Sequence, residues 1–210
     1  MARQRTDNAP PQPHKRPSQA RAVFTVETLY DSFVRIWRRD GPDAATTRAI
    51  AEESGYAVGT LYEYFPNRTA LLSGYVRYCM DWLCTALQEG NKAREGDDWQ
   101  TRLQRLVSIT LDEHGQAPYF DRPMLQMENT IASPTRHQQT FQQLVETWSA
   151  CIAQWPDYPG PVDQATVNTL VLTLWGGRRY SFLVDAGGDL SHRVEQSTRM
   201  AQALLAAEGR

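Results

Sequence analysis

Thr46-Thr47-Arg48-Ala49-Ile50-Ala51-Glu52-Glu53-Ser54-Gly55-Tyr56-Ala57-Val58-Gly59-Thr60-Leu61-Tyr62-Glu63-Tyr64-Phe65 is the stretch that decides the fold. Thr46 can cap a helix that runs to Ser54, because its side-chain oxygen can accept a backbone N–H left over at the first turn. Gly55 stops that helix after two turns and accepts the positive φ of a tight interhelical corner. A second short helix, roughly Val58 to Phe65, then ends at Pro66-Asn67. Ala51 is small enough for the two helices to cross closely. Ile50, Tyr56, Leu61 and Phe65 are spaced to form an apolar wedge beneath the second helix, whose outer face is left free. A free helix has the right width for the major groove of DNA. Ordinary helical hairpins share this pattern, so the flanking sequence has to decide between them.

Upstream, Val23, Val26, Tyr30, Phe33, Val34 and Trp37 recur at three- and four-residue steps and predict a first helix ending at Gly41-Pro42. Downstream, a long striped helix opens near Thr69, with Leu72, Tyr75, Cys79, Trp82 and Ala86 on one face. Beyond Gly90 the readable segments are all helical. One stripe is Leu103 to His114 and another Phe141 to Trp155, with a short or broken helix between Ala117 and Ser133. After a break at Pro156–Pro161, two helices are expected at about Val162–Asp185 and Ser191–Ala207, separated by Gly187-Gly188. With no alternating run long enough for a strand, the fold class is all-α.

Joined to Thr60-Leu61-Tyr62-Glu63-Tyr64-Phe65-Pro66-Asn67-Arg68-Thr69-Ala70-Leu71-Leu72, the segment resembles the signature of the tetracycline-repressor (TetR, AcrR-like) family of bacterial transcriptional regulators. The likeness covers about Ser18 to Leu72; the remainder resembles the family only in being helical and of suitable length. It implies a three-helix DNA-binding domain at residues 18–72 and a helical effector-binding and dimerisation domain at 73–210. Thr47 and Arg48 then stand near DNA at the head of the second helix, and Arg48 can donate two hydrogen bonds to guanine. Val58, Gly59, Thr60 and Tyr62 fall on the recognition helix, Tyr64 where the family meets the DNA backbone, and Arg68 in place of a phosphate-binding lysine. Core or boundary packing is the alternative for Tyr62 and Tyr64. Three residues depart from the pattern. Ala57 stands where serine commonly caps the recognition helix, Val58 replaces a polar residue, and Glu63 puts a carboxylate where basic or aromatic groups are frequent. These departures keep open a rival reading, an all-α adaptor that has lost DNA binding.

The 210 residues are 41% hydrophobic and 22% charged, enough to bury a core without an apolar run that could cross a bilayer. No secretory leader is legible, so the expected compartment is the cytoplasm. The formal charge is −2, yet residues 1–72 hold ten Lys and Arg against eight Asp and Glu. The positive end is thus the N-terminal one, as expected of the part that approaches phosphates. Residues 1–17, with Pro10, Pro11, Pro13 and Pro17 among Arg3, Arg5, Lys15 and Arg16, read as a disordered basic arm. The three cysteines lack Cys-x-x-Cys spacing and are expected as buried thiols.

Catalytic motifs such as Gly-x-Ser-x-Gly, His-Glu-x-x-His or a phosphate-cradling glycine loop are missing from the sequence, and the four histidines have no metal-ligand spacing. No enzyme activity, metal or cofactor is expected. Beyond the DNA-binding part the aromatic and methionine content is high, and Trp82, Tyr119, Phe120, Met124, Met127, Trp148 and Trp175 are candidate contacts for a small aromatic or lipophilic effector. Core packing is the alternative for each. Asp112, Glu113, His114 and Glu128 are possible polar anchors or solvated helix residues, while Arg178 and Arg179 border a pocket or an interface or lie on the exposed surface. In the last two helices, the stripes Val167, Leu170, Val171, Leu174, Ser181 and Val194, Thr198, Ala201, Leu204, Leu205 are the expected homodimer face, the pairing that the resemblance implies. The sequence thus reads as a ligand-responsive repressor on a palindromic operator.

Overall fold

The computed structural model describes residues 13, 19–184 and 189–208. The basic arm (Pro13 apart) and the Gly187-Gly188 break lie outside the described residues. Among the described residues there are nine α-helices and no strand: α1 Ala20–Asp40, α2 Thr47–Ser54, α3 Val58–Tyr64, α4 Arg68–Gly90, α5 Trp99–Leu111, α6 Arg122–Ile131, α7 Pro134–Ile152, α8 Gln164–Val184 and α9 Leu190–Glu208. One short 3-10 turn, Pro42–Ala44, follows α1 and was not anticipated. None of the described helices is long and apolar enough to cross a membrane.

The chain divides into two compact units, residues 1–78 with 126–132, and residues 79–125 with 133–210. In the first unit, α1 buries Leu29, Phe33, Ile36 and Trp37, α2 buries Ile50 and Ala51, and α3 buries Leu61 and Tyr64. Rings join these helices to the start of α4. Tyr30 lies 5.6 Å from Phe65 and 5.5 Å from Tyr75, and Phe33 lies 5.5 Å from Tyr75. Such edge and tilted contacts match the ring quadrupoles and add directional preference to the apolar burial. Gly74 is required here, since a Cβ would come within 2.5 Å of the Tyr30 hydroxyl and 3.0 Å of the Phe65 ring.

The second unit is built on one apolar cluster that includes Leu83, Leu87, Leu103, Leu106, Leu144, Trp148, Leu170 and Leu205. Asp98 caps α5 by accepting from Thr101 N at 2.7 Å, and Ser133 caps α7 ahead of Pro134. The α5 helix ends three residues short of the expected His114. Asp112 takes a left-handed conformation there (φ 58°), and its carboxylate accepts from Ala117 N at 2.9 Å. Buried Asn91 accepts from Trp155 Nε1 at 2.6 Å and donates to Cys151 O at 3.2 Å, so a polar group in the core is satisfied on both sides.

The stripes expected to form the dimer face point inward. Val167, Leu170, Val171, Leu174, Val194, Thr198, Ala201 and Leu205 are all buried within the unit itself. The outward faces carry instead Leu172, Tyr180, Leu183 and Val184 on α8 and Met200 on α9. Three- and four-residue spacing had located the core face of these helices, because a helix apolar on two sides gives no cue as to which side stays inside.

Candidate functional site

The first unit presents α2 and α3 as a pair hinged at Gly55, whose φ of 74° and ψ of 10° are cheap only for glycine. Thr46 Oγ1 accepts from Ala49 N at 3.1 Å and starts α2 where the sequence places it. At the head of α3, Ala57 supplies no side-chain cap, and the turn is held by the backbone bond from Thr60 N to Ala57 O at 2.9 Å. Across the pair, Thr47 Oγ1 and Tyr62 Oη share a hydrogen bond at 3.2 Å. Two residues named for DNA contact are therefore brought together, and the Tyr62 ring, 45% exposed, is held over the head of α2.

The outward side of α3 is small and open. Val58 is exposed, and the space around Gly59 is empty for 4 Å beyond an ideal Cβ. Thr60 is half-buried. Arg48 is exposed on α2 and pairs along the helix with Glu52 at 2.9 Å. An exposed i,i+4 pair of this kind contributes only about 0.3–0.5 kcal/mol, so it leaves the guanidinium available to another acceptor. The pair is held to α1 by Glu53, which accepts from Arg35 at 3.1 Å and Arg39 at 3.2 Å. These two guanidinium groups, Arg35 first, hold the Glu53 carboxyl below its ordinary range. Sequence reading had passed over this clamp, for its members are far apart in the chain and each looks like an ordinary surface charge.

Two residues stand apart from that surface. Tyr64 is 7% exposed and packs beside Phe65, with the ring centroids 6.3 Å apart. Arg68 is half-buried at the head of α4. Its Nη2 donates to Pro42 O at 2.5 Å, its guanidinium lies 5.9 Å from the Trp37 ring, and its Nε is buried without an acceptor among the described residues. It ties α4 to the turn after α1. Asn67, which accepts from Ala70 N at 2.7 Å, is the cap of that helix.

In the second unit the candidate effector contacts scatter. Trp148 and Met124 are fully buried, and Trp148 belongs to the core cluster. Trp82 and Trp175 are half-buried against that cluster, with Arg179 5.9 Å from the Trp175 ring. Tyr119 donates to Asp121 at 3.0 Å, and Asp121 in turn accepts from Met124 N at 2.9 Å to start α6. Phe120 meets Phe182 edge-on at 5.4 Å. Met127 falls in the segment that groups with the first unit. Among the polar candidates, Glu113 accepts from Ser108 at 2.6 Å, His114 is exposed, and Asp112 faces Arg178. An open groove is lined by Asp81, Thr85, Gln88, Gln143, Glu146 and Thr147, none of them among the expected contacts. Burial pushes the Cys151 thiol up to about 11 and raises Cys84 as well, so both are protonated at neutral pH. No group of three or more His, Cys, Asp or Glu suited to a metal ion occurs among the described residues.

A family model, that of the bacterial regulatory proteins of the tetR family, matches residues 29–74, which span most of α1, the α2–α3 pair and the start of α4. Over these residues the chain matches the TetR family. The match takes in the helix-turn-helix of α2 and α3, the DNA-binding part of the family's regulators. No curated relative matches the sequence. Among solved structures, the fatty acid degradation regulator FadR from Bacillus halodurans superposes with a TM-score of 0.60 at 16% identity, covering 91% of this chain and 97% of that one. A TetR-family regulator from Streptomyces coelicolor gives 0.61 at 18% identity over 88% of this chain and 97% of that one. The Thermus thermophilus FadR repressor, solved with lauroyl-CoA, gives 0.61 at 16% identity over 84% and 92%. At such identities the likeness speaks for the all-α fold.

Proposed function

We propose that this chain is a TetR-family transcriptional repressor that binds a palindromic operator as a homodimer and is released by a small aromatic or lipophilic effector. In this reading residues 18–72 bind DNA and residues 73–210 carry the effector site and the dimer face. The observation that carries the DNA reading is the open side of α3, where Val58, Gly59 and Tyr62 are exposed and Tyr62 is tethered to Thr47. Thr47, Arg48 and Thr60 complete the surface, with Arg48 reading a base and the backbone amides at the head of α3 meeting phosphate. A half-buried Arg68 serves this surface from behind, by fixing α4. Tyr64 supports it from the core.

One helix-turn-helix makes too few contacts for a specific site, so two are needed, spaced by about one helical turn of roughly 34 Å. The outward apolar residues of α8 and α9 supply a self-complementary face for that pairing, and Gly176 and Gly177 have open space beyond them that allows close approach. The lauroyl-CoA bound by the Thermus FadR supports a lipophilic effector. One continuous helix, α4, contributes residues to both units. An effector that prefers one arrangement of the dimer by about 1–3 kcal/mol would change operator affinity roughly 5- to 150-fold.

The test is selection of bound sequences from random duplex DNA, followed by titration of the selected site with salt and with effector candidates. The reading expects an inverted repeat, a steep fall of affinity with salt, and release by a lipophilic compound. Absence of any selected sequence, or a flat salt response, would overturn the DNA reading. A compound that quenches tryptophan fluorescence yet leaves operator affinity unchanged would show that its site and the DNA surface are uncoupled.

A further inference from the structure

We infer that the effector carries an anionic head, a carboxylate or phosphate oxyanion, on an apolar body, and that Arg178 on α8 receives that head. The inference rests on the effector reading above and names the effector's chemical class.

The Arg178 side chain is only 12% exposed. A guanidinium stays protonated and has five N–H donors to place. Here Nη1 donates to Thr110 O at 2.7 Å, while Nη2 stands 4.0 Å from Asp112 Oδ2, outside hydrogen-bond range. The charge also lies 6.0 Å from the Phe182 ring. No other acceptor is in hydrogen-bond contact with it among the described residues. Asp112 is its counter-ion and acts on it from 4.0 Å, with Oδ1 turned to Ala117 N at 2.9 Å and Oδ2 not in hydrogen-bond contact. Burial lowers the Arg178 pKa, the direction expected of a cation that is desolvated more than it is matched.

Arg105 in the same unit shows what a matched guanidinium looks like. It donates to Asp97 at 2.6 Å and to Gly90 O at 2.9 Å. Arg178 has the carbonyl but not the contacting carboxylate. An oxyanion at Nη2 would complete the set through a charge-assisted pair, which a guanidinium can make with two parallel bonds. The groups beside it are apolar. Phe182 carries the edge-on Phe120, and Cys79 is the other neighbour that acts on the guanidinium. A head that is charged and a body that is not is the chemistry these groups fit.

The same contact offers a regulatory lever. Asp112 ends α5 in a left-handed turn that a non-glycine residue adopts at a cost, and its carboxylate organises the segment up to Ala117. An oxyanion on Arg178 takes the place toward which Asp112 leans. The segment it organises continues through Phe120 into α6, whose residues 126–131 group with the first unit. Occupation of Arg178 is thereby linked by chain connectivity to the part that holds DNA.

The experiment is titration of the whole protein, without DNA, by dodecanoate, dodecyl phosphate and 1-dodecanol below their aggregation limits, followed by calorimetry. The wild type should bind at least one of the two anions ten-fold or more tighter than the alcohol, and the better anion tells carboxylate from phosphate. Arg178→Met should abolish that preference. Asp112→Asn, which removes the competing charge and keeps the shape, should tighten the anion several-fold and leave the alcohol unchanged. Should Arg178→Met fail to fold, Asp112→Asn decides. Equal binding of anion and alcohol, a preference that survives Arg178→Met, or an anion affinity untouched by Asp112→Asn overturns the inference while the effector reading stands. Binding of none of the three probes overturns both.

Discussion

The outward face of α8 gives the sharpest test of assembly. Leu172 is 62% exposed and Tyr180, two turns later, 61% exposed, so in the isolated chain both hold apolar surface in water. Burying a leucine side chain contributes about 1.5–3 kcal/mol when complete, hence about 1–2 kcal/mol for the part still exposed. In a two-fold interface the same residue is buried twice, giving about 2–4 kcal/mol. At 1.4 kcal/mol per decade that is a dimer constant weakened about 30- to 700-fold by Leu172→Ala, before any cavity is counted. Leu172→Glu should do more, because each copy then desolvates a charge. Neither change touches the core of the unit, so circular dichroism and monomer unfolding should remain close to wild type. Sedimentation equilibrium from nanomolar to micromolar concentration reads the constant. A dimer as tight in Leu172→Glu as in wild type would refute the assignment of this face, and a monomeric wild type at micromolar concentration would refute dimerisation itself.

On the DNA surface, Arg48→Ala should cost about 1–3 kcal/mol at the cognate site and relax preference at one position of each half-site, as read by binding to a panel of single-base variants. Arg68→Ala should instead lower the thermal midpoint, because it removes the bond to Pro42 O and the packing on Trp37; a wild-type midpoint with weakened DNA binding would return Arg68 to direct phosphate contact. Ala57→Ser should add about 1 kcal/mol to the stability of the first unit by capping α3, and hydrogen exchange at the amides of Gly59 and Thr60 should slow. The Asp97 carboxyl, held below its ordinary range first by its hydrogen bond from Arg105, gives stability that is complete above its unfolded pKa and lost as pH falls through the lower folded value. Acid unfolding below about pH 4 should therefore become shallower in Asp97→Asn, and a superimposable acid limb would deny the pair that role.

Where the local chemistry was strong, the sequence was a sufficient guide. A threonine before α2 and a glycine after it gave both ends of that helix, since a cap and a left-handed turn each act over three or four residues. The spacing of Val26, Tyr30, Phe33 and Trp37 around α1 identified its buried side for the same reason, whereas on α4 the stripe through Cys79, Trp82 and Ala86 runs one residue off the buried Met80, Leu83 and Leu87. What escaped was set by distant partners. The α8 and α9 stripes were taken for a face between subunits and proved to be the unit's own core. Apolar periodicity says that a side is buried and not against what. The clamp of Arg35 and Arg39 on Glu53 needs α1 and α2 laid together before it exists. Trp148 and Met124, chosen as effector contacts for their chemistry, are both fully buried, and composition could not separate an aromatic that packs from one that receives a ligand.

The arginines show what three dimensions add to a reading of charge. Each guanidinium has the same donors, so its role follows from how many are satisfied and how much water is left to serve the rest. Arg105 has a carboxylate and a carbonyl in contact and is structural. Arg68 spends a donor on a carbonyl and its flat face on an indole, which fits a strut better than a free phosphate ligand. Arg48 has one solvent-exposed partner on its own helix, and exchanging that partner for a base costs little because water already competes for it. Arg178 has a carbonyl but no carboxylate in hydrogen-bond contact, and it is only 12% exposed. A desolvated cation in that position gains from an oxyanion that reaches it, which is how one residue can make a site selective for an anionic head.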